Sequence, residues 1–151
     1  MPKSNAVLLP GNVRPVKYAL TLTPDLAAFT FRGEETVDIE VLEPTSEIVL
    51  NASELAIQTA EVSQGRARPV AAERISLDKV AETATLQFGV ALKPGQAKLR
   101  LAFSGVLGDN LMGFYRAPYQ GTDGQTRHMA ATQFEASHAR LAFPCWDEPA
   151  L

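Results

Sequence analysis

A chain of 151 residues suits one ordinary domain, or a fragment of a larger protein, and is too short for two full-sized domains. With 46% hydrophobic and 21% charged residues, wholesale disorder and collagen-like composition are excluded. Fourteen Lys plus Arg against 17 Asp plus Glu leave a net charge of −3 without a basic run, so no nucleic-acid partner is expected.

The opening Met1-Pro2-Lys3-Ser4-Asn5 lacks the apolar core of a signal peptide, and no apolar run approaches the roughly 20 residues that a membrane-spanning helix needs. The single cysteine, Cys145, has no intrachain partner for a disulfide framework. Together these point to a reducing, cytoplasmic setting with no membrane partner.

Along the chain the recurrent signal is period-two alternation, which places successive side chains on opposite faces of a strand. Tyr18, Leu20 and Leu22 alternate with Ala19, Thr21 and Thr23, and Val37, Ile39 and Val41 alternate with Thr36, Asp38 and Glu40. Asn51-Ala52-Ser53 is formally a glycosylation sequon, but strand-end polarity is the simpler reading. Ala84, Leu86, Phe88 and Val90 continue the pattern, as do Leu99, Leu101 and Phe103. These sequences predict antiparallel strands with one packed face and one wet face.

Turn clusters punctuate them at Thr23-Pro24-Asp25, Arg32-Gly33-Glu34, Glu43-Pro44-Thr45, Gln64-Gly65, Lys93-Pro94-Gly95 and Thr122-Asp123-Gly124. Many short strands with frequent turns predict an all-β fold, either a sandwich or an open curved sheet. Only Phe134 to Leu141 has room for a turn or two of helix. From Gly113 onward the alternation breaks down and polar residues sit among aromatics, which predicts an irregular segment of the kind that carries chemistry.

No complete catalytic apparatus is found there. The two histidines, His128 and His138, form no His-Glu-x-x-His, and Glu135 with His138 gives one Glu-x-x-His where a di-iron site uses two. Cys145 between Pro144 and Trp146 reads as an inert buried thiol, and Gly105, Gly108 and Gly113 match no phosphate loop. What remains is Gln133 and Glu135. In an extended segment both would face one way while Phe134 packs behind them, an amide beside a carboxylate making a cradle for a cation. Glutamate ordinarily ionises near 4.3 and a peptide α-amino group near 7.7–8.0, so at neutral pH the two attract. The competing reading is two solvated residues on a polar strand face.

The stretch from Ala131-Thr132-Gln133-Phe134-Glu135 through Phe143-Pro144-Cys145-Trp146-Asp147-Glu148-Pro149-Ala150 resembles the signature of the aminopeptidase N / puromycin-sensitive aminopeptidase family of zinc peptidases. Leu9-Pro10, Val13-Arg14-Pro15, Tyr18 to Leu26, Phe31-Arg32-Gly33, Ile48 to Ala52, and Gly113-Phe114-Tyr115-Arg116 agree with that family in order and spacing. Lys17, His138 and Leu141 depart from its usual residues.

The resemblance implies a curved antiparallel β-sandwich, a saddle-like N-terminal domain over residues 1–151, truncated before its last strands and covering a catalytic domain that lies beyond it. It further implies that Gln133 and Glu135 hold the free amino terminus of a peptide substrate. The zinc cofactor, its ligands and the catalytic residues then belong to the absent catalytic domain of the same chain, with no catalytic or metal residue here, and this chain alone is expected to hydrolyse no peptide bond. Arg140 with Asp147 or Glu148 is expected to form structural ion pairs, and Phe143, Cys145 and Trp146 to pack the loop onto the sheet. Tyr115 and Tyr119 are candidates for the substrate channel, the core or the rim. The alternative function is a non-enzymatic β-sandwich binding or scaffold module.

Overall fold

The computed structural model describes residues 8–148, so the opening pentapeptide and Pro149-Ala150 of the family-like stretch lie outside the described residues. Those residues form nine strands: β1 (Val13–Asp25), β2 (Thr30–Val41), β3 (Thr45–Asn51), β4 (Ala56–Ser63), β5 (Val70–Asp78), β6 (Thr83–Leu92), β7 (Gly95–Val106), β8 (Gly113–Gln120) and β9 (Thr126–Gln133). One 3-10 turn, Ala139–Leu141, follows. The all-β expectation holds. β1 to β7 make a curled antiparallel sheet in the order β1-β2-β7-β4-β5-β6-β3, and β8 and β9 make a separate hairpin. The bend lies at β5, which pairs with β4 only through Val70 and Ala71 before running along β6 from Ala72 to Asp78.

Alternation builds the core as expected. Val37, Ile39 and Val41 of β2, Ala97, Leu99, Leu101 and Phe103 of β7, and Ala84, Leu86 and Phe88 of β6 are all buried. Val90 is the exception and is exposed. Three extra residues of β6 intervene between the pairs Glu47–Gln87 and Thr45–Leu92, so Val90 lies in an irregular stretch of the ladder, and burial resumes at Leu92, in phase with Phe88. β1 is an outer strand with a thinner cover, Tyr18 and Leu22 half-buried and Leu20 exposed.

Two turn expectations are corrected. Arg32-Gly33-Glu34 lies inside β2 rather than at a bend. The register sets Gly33 opposite Phe103 and Gly105 opposite Phe31, and a Cβ at either glycine would overlap the facing ring. Each phenylalanine thus folds over the glycine across from it, two reciprocal pairs at the end of one ladder. Likewise Thr23-Pro24-Asp25 is still strand, and the β1–β2 turn falls on 26–29. Asp25 Oδ1 accepts from the N–H groups of Ala27 and Ala28, and Asp78 Oδ1 does the same for Val80 and Ala81 before β6. Both turns end on a left-handed residue, Phe29 (φ 56°) and Glu82 (φ 53°). The other four turn clusters lie where expected.

Gly33→Ala should destabilise the fold by about 1–3 kcal/mol, the cost of overpacking a filled core position. Urea unfolding measures it, and a midpoint equal to that of the unsubstituted chain would show that the Phe103 ring can move aside freely.

Candidate functional site

The segment expected to be irregular opens as a regular hairpin. β8 and β9 pair without a break from Gly113 opposite Gln133 at the base to Gln120 opposite Thr126 at the tip. The hairpin is fixed above the β1–β2 turn. Leu107 N–H donates to Phe29 O at 2.8 Å, Phe31 meets Phe114 edge-on with centroids 5.0 Å apart, and the Arg116 guanidinium lies 4.4 Å from the Phe29 ring centre. His128 packs edge-on to the same ring at 4.8 Å. Tyr115 is half-buried near the base, and Tyr119 is exposed towards the tip.

Gln133 is the last residue of β9, and Glu135 lies just beyond it. The extended geometry expected to align the two does not continue through Glu135. Residues 135–138 form a turn closed by His138 N–H donating to Phe134 O at 2.9 Å, and the Glu135–Ala136 peptide is cis. The pair is joined differently: Glu135 N–H donates to Gln133 Oε1 at 3.1 Å, while both side chains stay exposed. Phe134 turns inward, as expected, and meets Phe143 edge-on at 5.9 Å; Phe143 meets Tyr18 of β1 at 5.8 Å. An aromatic chain thus runs from the loop to an outer strand.

The segment from 139 to 148 ties this loop to both outer strands of the sheet. On β3, Asn51 exchanges both main-chain hydrogen bonds with Cys145, at 2.7 and 2.9 Å, and its side-chain Oδ1 accepts from Asp147 N–H at 3.0 Å. On β1, the Tyr18 hydroxyl accepts from Trp146 N–H at 3.1 Å. Leu9 N–H donates to Glu148 Oε1 at 2.5 Å, adding a third tie. Arg140 organises the segment from within: Nε reaches Asp147 Oδ2 at 3.0 Å, Nη2 reaches Asp147 O at 3.0 Å, and Nη1 reaches Glu82 Oε2 at 3.2 Å. Its ion-pair partners are therefore Asp147 and Glu82, while Glu148 serves Leu9. The Asn51 amide is enclosed and engaged, in keeping with the structural reading of that sequon.

Cys145 and Trp146 pack inward, and burial pushes the Cys145 thiol well above the ordinary thiol range, with the Asp147 carboxylate adding to the effect. The thiol stays protonated and unreactive. Burial likewise keeps the Tyr18 hydroxyl protonated. Among the described residues no group of three His, Cys, Asp or Glu could hold a metal ion, and His138 Nδ1 lies against Glu135 O at 2.9 Å. These residues do not fit a zinc centre.

Sequence reasoning overlooked Glu35, which continues the inward face of β2 two positions before Val37 and is 3% exposed. Extending the Val37-Ile39-Val41 period backwards would have found it. It also overlooked Asn51 and Glu82 as partners of the loop. Their signals are non-local and cannot be read from spacing along the chain.

Residues 14–151 match the family model for the peptidase M1 N-terminal domain. Among curated proteins, the chain is 43% identical over 145 residues to Aminopeptidase M1 of Arabidopsis thaliana, covering 94% of this chain and 16% of that protein. It is 44% identical over 149 residues to Aminopeptidase 2 of Candida albicans, covering 98% of this chain and 16% of the other. With Alanine/arginine aminopeptidase of Saccharomyces cerevisiae it shares 38% identity over 148 residues, 95% of this chain and 17% of that protein. The chain thus spans about one sixth of the length of these relatives.

Arg140→Ala should cost on the order of 3 kcal/mol, because it strands the largely buried Asp147 carboxylate. Arg140→Lys should recover only part, since one ammonium cannot span Asp147 and Glu82 as a guanidinium does. Denaturant unfolding at neutral pH measures both; a loss below about 0.5 kcal/mol, the scale of an exposed pair, would show that the network carries no load.

Proposed function

Because the chain belongs to the peptidase M1 N-terminal domain family, we propose that it is the substrate-amine-anchoring N-terminal domain of a zinc-dependent aminopeptidase, one that removes N-terminal residues from peptides. The partners in this reading are peptides with a free amino terminus and a catalytic domain of the same protein, which would bind the zinc and supply the catalytic residues. The setting is cytoplasmic.

The observation that supports the anchor most is the contrast within one loop. Phe134, Phe143, Cys145, Trp146 and Asp147 are turned towards the sheet and bonded to it, while Gln133 and Glu135 remain exposed and joined to each other. A carboxylate held on a rigid support captures an α-ammonium through a charge-assisted hydrogen bond. Fixing the amine also fixes the distance from the amine to the bond to be cut, so cleavage counts from the end of the chain. Gln133 Oε1, occupied by the Glu135 N–H, holds the turn so that its Nε2 is left to donate to a peptide carbonyl. An acetylated amine would remove the positive charge and forfeit the contact that selects it.

In the full-length protein, Glu135→Ala should weaken binding of free-amine peptides by about tenfold or more, from the loss of a charge-assisted bond of about 1.5–3 kcal/mol. Binding of N-acetylated peptides should change little. Inhibition constants for matched peptide pairs measure this, and equal loss for both members would overturn the anchor.

A further inference from the structure

Glu35 is the one carboxylate placed on the packed face of the β1-β2-β7-β4 part of the sheet among the described residues. In register it sits in the row Leu20–Glu35–Leu101–Ala60, with Gly33 and Val37 before and after it on the same face. Neither carboxyl oxygen has a hydrogen-bond partner, and Trp146 Nε1 is the only other buried side-chain polar atom without one among the described residues. Tyr18, which receives the Trp146 N–H, stands diagonally across the β1–β2 ladder from Glu35 on the same face.

The groups that face this carboxyl offer it no positive charge. From β1 comes the Tyr18 hydroxyl and from the 139–148 segment the Cys145 thiol, both kept protonated and uncharged, with the Asp147 carboxylate close to those two. β7 and β4 present Leu101 and Ala60. The nearby cation, Arg140, is already bonded to Asp147 and Glu82.

We propose that Glu35 is a protonation switch for the seating of the 139–148 segment on the outer strand β1: as a neutral acid it lets Tyr18 and Trp146 close, and once ionised it drives them apart. An ionised carboxylate in that row has two ways to regain hydration, unfolding the sheet or lifting the thinly covered edge. The edge is the weaker side. Tyr18 and Leu20 are only partly covered there, and the strand is held laterally by β2 alone.

Burial raises the Glu35 carboxyl to about 8. A folded-state value above the unfolded one favours the protonated form, so this contribution to stability is complete below about 4.5 and lost as pH rises through about 8. The ratio of lifted to seated segment therefore increases by up to about tenfold per pH unit across that window. The inference depends on the amine-anchor reading only for its effect on peptide binding; the switch itself does not require a peptide.

The test uses the 151-residue chain without peptide, so that no substrate amine titrates in the same range. Trp146 is the sole tryptophan, so its emission reports the closure directly. Emission should move to longer wavelength between pH 6 and 9 with strand content unchanged by circular dichroism, and the transition should vanish in Glu35→Gln. Glu35→Leu serves if the amide variant misfolds, and the carboxyl 13C shift of Glu35 in the unsubstituted chain gives the titration without any variant. A Glu35 carboxyl that titrates near 4.5 in the folded chain, or a pH profile shared by the unsubstituted chain and either folded variant, would overturn the switch. Failure of the Glu135 peptide test with this result intact would sink the anchor alone.

Discussion

A curled sheet that does not close leaves two outer strands, each with one side of its backbone unpaired. Here a single ten-residue segment is bonded to both, through main chain on β3 and through a side chain on β1. Asn51 on β3 is bound through its N–H, its carbonyl and its side chain, and Tyr18 on β1 is bound through its hydroxyl. The 133–135 loop precedes that segment directly, so its position is set by both ends of the sheet at once. A loop tied to one edge would swing with that edge; tied to both, it inherits the rigidity of the whole sheet.

The family-like stretch therefore does two kinds of work in adjacent residues. Arg140, Cys145, Trp146 and Asp147 are framework, and their polar groups are directed at the sheet or at each other. Gln133 and Glu135 are directed outward. The aromatic chain Phe134–Phe143–Tyr18 joins the two sets through edge-on contacts whose geometry is restrictive. For the proposed amine anchor such support lowers the cost of binding, since a free loop would surrender conformational entropy on capturing a ligand.

The strands with strict alternation were legible in the sequence because burial on one face imposes period two: β2, β6 and β7 appear where Val37, Ala84 and Leu99 begin their series. Turns marked by Pro and Gly were legible for the same local reason, with two exceptions that share a cause. Gly33 signals close approach of a ring rather than a reversal, and only the cross-strand register reveals Phe103 over it. At Pro24 the actual reversal is made by the side chain of Asp25. The β8–β9 hairpin escaped notice because both of its faces carry mixed residues, so no period stands out. In the candidate site the residue types at 133 and 135 were visible, whereas the turn that begins at Glu135 and the partners Asn51, Tyr18 and Glu82 were not. Those contacts join residues far apart in the chain, and spacing carries no record of them.

That distance in sequence has its own consequence for how the protein is made. Trp146 meets Tyr18 across 128 residues, Asp147 meets Asn51 across 96, and Glu148 meets Leu9 across 139. Contacts of such span form late, because the intervening chain must be ordered before they can hold. A ribosome adding about 5–20 residues per second delivers Tyr18 several seconds before Trp146 exists. During that interval β1 and β3 stand as open edges, and the loop that carries Gln133 and Glu135 takes its place only after the strands on which it rests.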